Sequence, residues 1–242
     1  APSATEQPVV FQDDNGYVRF LGAPQGGVFK VDSAQKAAGA PAGAKAFLDA
    51  HRDAFGVSDS SSLAAGRILT NGGQTFVHLG QSIGGVQVFG ADASVQVNAD
   101  GNVVNVLNDF ARDVSAIDSG AVPLTPTVTA QAASDAARQY VDSLYSKVTF
   151  GQLSVSGSPA LNVYVPSVLG QDGPARLVWL IEVVAAAPEK VDERVFVDAS
   201  SGQAILHYSL ICDDRNRKIY DVNNTTSVPD APARAVRPMR CT

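Results

Sequence analysis

Ala93-Ser94-Val95-Gln96-Val97-Asn98-Ala99-Asp100-Gly101-Asn102-Val103-Val104-Asn105-Val106-Leu107 is the stretch on which the fold turns. Ala93, Val95 and Val97 alternate with Ser94, Gln96 and Asn98, the pattern of a strand with one face buried and one wet. Asn98 to Gly101 supplies a tight turn, because Asp-Gly tolerates the positive φ angles that hairpins require. Val103 to Leu107 then returns as the partner strand, and Thr75 to Gln81 is strand-like too. Further upstream the period changes from 2 to 3.6. Between Ala42 and Phe55, the residues Phe47, Leu48, His51, Ala54 and Phe55 share one face of an amphipathic helix, with Gly56 where a helix-ending glycine belongs. His51 is expected to pack its ring on that face. A helix followed by an antiparallel meander makes an α+β unit. The runs Val9-Val10-Phe11, Tyr17-Val18-Arg19-Phe20 and Val28-Phe29-Lys30-Val31 predict one or two edge strands before it.

The second half repeats this order of elements. Residues 111–127, with Ser119-Gly120, Pro123 and Pro126, read as a linker. Thr129 is placed to cap a helix whose inner face is Ala132, Ala133, Ala136, Ala137, Tyr140, Val141 and Leu144. Alternation then marks strands at Leu161, Val163 and Val165, at Leu177, Trp179, Ile181 and Val183, and at Val195 and Val197. Ala204 to Leu206 adds a possible fourth. The expectation is an α+β chain of two tandem domains, residues 1–112 and 113–208, each a helix packed on an antiparallel sheet. Residues 209–242 follow as an extended tail punctuated by Pro229, Pro232 and Pro238.

The composition bounds the function. Of 242 residues, 45% are hydrophobic and 17% charged, enough apolar material for a real core. The net charge of −6 argues against nucleic acid, which calls for clustered Lys and Arg. Residues 212–242 hold six Lys/Arg against four Asp, while residues 1–211 hold twelve against twenty acidic groups, so an acidic body carries a mildly basic tail. The most apolar run, Leu177 to Ala187, is interrupted by Glu182 and is far short of the roughly 20 residues of a membrane span. The opening Ala-Pro-Ser-Ala suits a secreted chain whose leader has been removed. Cys212 and Cys241, both in the tail, favour a disulfide in an exported chain, the rival being a free thiol acting on a metal.

The residues of common active sites are not assembled. His51, His78 and His207 lie one to a segment without the i, i+4 partner of a helical zinc site, and no HExxH occurs. Two cysteines in the tail cannot build a four-ligand structural zinc site. Phosphate-binding glycine loops are absent, and no Ser/His/Asp set is read here. Asp13-Asp14 and Asp213-Asp214 are neighbours in exposed turns, whereas acid–base chemistry needs a shielded site. Asn223-Asn224-Thr225-Thr226 holds two overlapping glycosylation sequons, which matter only in a eukaryotic secretory route. The residues themselves describe a secreted, non-enzymatic protein.

Gln74-Thr75-Phe76-Val77-His78-Leu79-Gly80-Gln81-Ser82-Ile83-Gly84-Gly85-Val86-Gln87-Val88-Phe89-Gly90 resembles the core of the fungalysin/thermolysin propeptide domain. The shared features are a strand ending in Gln81, then Gly84, then the run through Val88, Phe89 and Gly90, with Gln87 where proline is frequent. The second half resembles a PepSY domain, through the Trp179 strand and the turn Asp198-Ala199-Ser200-Ser201-Gly202. Asn216-Arg217-Lys218-Ile219-Tyr220-Asp221-Val222-Asn223-Asn224 resembles the early part of the mature enzyme in bacterial thermolysin relatives, which implies that residues 209–242 hold the pro/mature junction and the start of a mature-enzyme-like segment.

The resemblance implies the propeptide of a secreted thermolysin-like zinc metalloendopeptidase, acting as intramolecular chaperone and inhibitor, with no catalytic residue and no cofactor of its own. Zinc, with calcium as a further ion, belongs to the partner protease domain, and neither nucleic acid nor membrane is a partner. His207, Tyr208, Ser209, Leu210 and Ile211, leaving the second domain, are the expected cleft-occupying stretch. A freestanding protease inhibitor and an extracellular binding module unrelated to proteolysis are the alternatives.

Overall fold

A computed structural model describes residues 7–112, 114–147, 150–186 and 190–211. The first unit opens with a hairpin of β1 (Val9–Gln12) and β2 (Val18–Gly22), followed by α1 (Ser33–Ala37), α2 (Ala40–Ala50) and α3 (Arg52–Phe55). Four strands then run antiparallel: β3 (Ser61–Asn71), β4 (Gln74–Ile83), β5 (Val86–Val97) and β6 (Val103–Asn108). β2 pairs with β6, so the sheet reads β1-β2-β6-β5-β4-β3. The second unit has α4 (Ser115–Asp118), α5 (Ala130–Leu144), β7 (Ser154–Tyr164), β8 (Arg176–Ala185), β9 (Val191–Asp198) and β10 (Ala204–Ser209), with β7 to β10 in antiparallel sequence. This is the α+β architecture read from the sequence.

Each unit buries a helix on its sheet. Ala44, Phe47 and Leu48 of α2 and Phe55 of α3 meet Leu63, Val77, Leu79, Val95, Val97, Val103 and Val106. A fully buried Leu or Phe contributes roughly 1.5–3 kcal/mol here. Ala133, Ala137 and Val141 of α5 meet Ile181, Val183, Val195 and Val197. Thr129 caps α5, its hydroxyl accepting from the Ala132 N–H at 3.2 Å.

Local differences from the sequence reading have simple causes. The first helix breaks at His51, whose φ of −128° leaves the helical region. Ala54 therefore turns to solvent, and His51 is itself exposed, its ring stacked 4.7 Å from that of Phe47. Gly56 at φ +69° closes α3. On α5 the buried stripe is centred on the i, i+4, i+8 series Ala133-Ala137-Val141, leaving Ala132 and Leu144 outward.

The two sheets are continuous. Gln87 and Val88 of β5 pair in parallel with Asn162 and Val163 of β7, giving one ten-stranded sheet. β5 is long enough to serve both units, because an irregularity at Phe89-Gly90, with Gly90 at φ +70°, restarts its alternation. Val88 and Ala91 consequently point the same way, into a shared core with Val163, Val165, Ala175 and the linker residues Ala111, Val114 and Ile117. Val163 faces Leu177, in line with Ile181 beneath α5. Both helical layers thus lie on one face of the sheet.

Candidate functional site

The other face has no helix on it among the described residues. Directly opposed residues share a face, and the register defines two rows across the first unit. One runs Phe11, Phe20, Leu107, Ser94, His78. The next runs Val9, Gly22, Asn105, Gln96, Phe76, Leu69. Phe11 is 63% exposed and Leu107 53%. The polar members bond among themselves: Gln96 donates to Gln74 Oε1 at 3.3 Å, and Asn105 Nδ2 donates to Gln96 Oε1. Apart from His78 these rows hold no ionisable group. Nearby, Arg19 pairs with Asp109, and burial pushes the Asp92 carboxyl up, with His78 opposing and Asp109 reinforcing the shift. The exposed Val9, Phe11, Leu69 and Leu107 on these rows make this face a candidate interaction surface.

Two buried amides tie that sheet to its surroundings, Gln81 to the linker and Asn108 to β2 and α3. Gln81, fully buried, accepts from the Ala111 N–H at 2.8 Å and donates to Ser61 Oγ at 2.8 Å and to the Ala111 carbonyl at 3.1 Å. Asn108, also fully buried, donates to the carbonyls of Val18 and Phe55 and accepts from the Phe110 N–H. Sequence reasoning singled out Gln81 but missed Asn108. Its signal was a lone Asn closing an apolar strand, which reads equally well as a turn. Gly84 sits at φ +55°, where a Cβ would lie 2.5 Å from Leu124 Cδ1, so the linker closes directly over the β4–β5 turn. Val88 is buried in the shared core, and Phe89 points the opposite way, its ring edge-on to Phe196 at 4.7 Å.

In the second unit Trp179 donates its indole N–H to the Val128 carbonyl at 2.8 Å, fixing the chain as it enters α5. Asp198 accepts from the Ser200 and Ser201 N–H groups, both at 2.9 Å, and from Arg176 at 3.0 Å. Burial alone would raise its carboxyl; these bonds hold it below the ordinary carboxylate range. Gly202 completes the turn at φ +77°.

His207, Tyr208 and Ser209 form the end of β10, paired with Val195, Arg194 and Glu193 of β9. The Leu210 N–H donates to the Asp192 carbonyl at 2.8 Å, and the Ile211 N–H to Ser209 Oγ at 3.2 Å. β10 pairs on one side only among the described residues. Beneath it Glu193, 2% exposed, accepts from Tyr145 Oη at 2.7 Å and lies 3.0 Å from His207 Nδ1. Bonding to that carboxylate, helped by burial, pushes the Tyr145 phenol up to about 12. Cys212, Cys241 and residues 216–224 lie outside the described residues.

One string carries the G-x-S-x-G spacing of a nucleophile elbow: Gly80-Gln81-Ser82-Ile83-Gly84. It is no nucleophile elbow, which needs a sharp strand-to-helix turn. Here the string belongs to β4 and its hairpin turn into β5, and the Ser82 hydroxyl donates to the Ser62 carbonyl at 3.4 Å. Among the described residues no three His, Cys, Asp or Glu side chains converge to hold a metal ion, and no helix is long and apolar enough to cross a membrane.

Comparison with known proteins bears on the open-faced sheet. No curated protein matches the chain. The C-terminal domain of Bacillus megaterium YpeB aligns over 85% of this chain and 76% of its own, at 15% identity and a TM-score of 0.36, too low to specify a shared fold. Residues 69–110 match the family model described as the Fungalysin/Thermolysin Propeptide Motif. The matched segment runs from the end of β3 through β6 to Phe110.

Proposed function

We propose that this chain is the propeptide of a secreted thermolysin-like zinc metalloendopeptidase, serving its protease domain as folding template and as inhibitor. One conjunction supports the reading: the strands carrying the propeptide motif, β4 to β6, form the middle of the first unit's sheet, and the two rows across its helix-free face set Phe11, Phe20, Leu107, Val9, Phe76 and Leu69 among polar residues with His78 as their one ionisable group. A single sheet layer buries its apolar face only against another layer. The protease domain supplies that layer. Docked while the protease folds, the face lowers a barrier behind which the mature enzyme is then kinetically trapped.

The second unit takes the part of a PepSY domain, and His207 to Ile211 approaches the protease cleft as the chain leaves it. An extended segment with one unpaired edge can add to a sheet edge beside the catalytic zinc. The zinc, and calcium with it, belongs to the protease domain. The Cys212–Cys241 disulfide closes the tail that joins the two.

Nanomolar inhibition requires about −12 kcal/mol. A few residues in a cleft bury far less than the roughly 1,200–2,000 Å² of an ordinary specific interface, so the sheet face has to contribute. In a protease turnover assay, a peptide of residues 205–213 is expected to inhibit far more weakly than residues 1–211. Equal potency would rule out the two-part interface.

A further inference from the structure

We infer that Glu193 is a latch for the last strand: its buried carboxylate, gripped by Tyr145 and His207, fastens β10 to the body of the second unit and sets how readily that strand opens. β10 is an edge strand. It has one strand neighbour, and its register with β9 slips between Ala204 and Leu206. Leu206 and Tyr208 point to the helix-free face, where Tyr208 reaches the Phe196 ring at 6.0 Å. On the helical face Ala204 packs on the core beneath α5, and His207 reaches the helix through the Tyr140 ring at 5.3 Å and through the carboxylate it shares with Tyr145. Three elements thus meet at one charged group: the end of α5 at Tyr145, β9 at Glu193 and β10 at His207.

The chemistry makes this fastening different from a packing contact. Glu193 is 2% exposed and its two oxygens are each taken by a different partner. An ionised acceptor bonds about twice as strongly as a neutral one, and a buried carboxylate stripped of a partner is costly until it is rehydrated. Opening of β10 therefore has to break the His207 bond to a buried acceptor in addition to the apolar contacts of Ile205, Leu206 and Tyr208. Local openings of this kind occur well below the energy of global unfolding. The biological consequence rests on the propeptide reading. β10 leads directly into the segment where that reading places the pro/mature junction, so the latch governs when the junction becomes accessible to cleavage.

Amide hydrogen exchange on the isolated full chain tests the latch without any protease. In Glu193→Ala, exchange of the Leu210 amide and its neighbours in 205–210 is expected to quicken roughly ten- to a hundredfold, with the Ile181 amide of β8 unchanged. His207→Ala removes a partly exposed partner, leaves the core intact and is expected to act in the same direction. It also keeps the test decisive should the Glu193 variant fail to fold. No acceleration in His207→Ala, or an equal acceleration across β7 to β9, overturns the latch. Either result leaves the propeptide reading standing, because that reading is judged on protease turnover.

Discussion

A chain carrying both Phe11→Glu and Leu107→Glu is expected to lose about a hundredfold or more in protease inhibition, since each carboxylate must be desolvated against an apolar partner surface. Both positions are more than half exposed in the free chain, so its melting temperature is expected to stay within a few degrees of the parent. The two side chains lie on one register row, Phe11 opposite Phe20 and Phe20 opposite Leu107. They therefore report on one patch. Gln139→Glu, on the exposed side of α5, is the matching control and is expected to leave inhibition unchanged. Full potency in the double variant would show that the protease docks elsewhere.

The second large effect concerns Gln81. Truncation by Gln81→Ala strips partners from both the N–H and the carbonyl of Ala111 and leaves a void at a fully buried site. The expected loss is about 3 kcal/mol or more, a fall of roughly 6–12 °C in Tm for a chain of this size. A loss under about 1 kcal/mol would mean that the linker is held by its apolar contacts alone, Leu124 on Gly84 and Ile117 in the shared core.

Where the sequence was legible, a single period dominated. The alternation of Ala93, Val95 and Val97 survives in the structure as three buried side chains over a hairpin, and Thr129 caps α5 as its position implied. β3 was missed because it is almost wholly exposed at the sheet edge and lacks alternation, with Ala64, Ala65 and Gly66 at its centre. The fusion of the two sheets was also hidden. It depends on two residue pairs, Gln87 with Asn162 and Val88 with Val163, that no local pattern announces. Phe89 carried a trace of it, as an aromatic next to a positive-φ glycine, but its partner Phe196 lies in the other unit. The open face was invisible for a related reason: alternation separates the two sides of a strand without revealing which side a helix covers. Glu193 is the sharpest case. An acidic residue in a strand reads as a wet position, and only the fold brings Tyr145 and His207 to it.

The proposed grip of this chain on a separate zinc hydrolase is tested most directly by titrating residues 1–211 into a thermolysin-type metalloprotease while following peptide turnover. Saturable loss of activity near one chain per enzyme, reversed once the protease has cut the chain, is the predicted result. Undiminished turnover at saturating chain, or peptide hydrolysis by residues 1–211 alone, would contradict it.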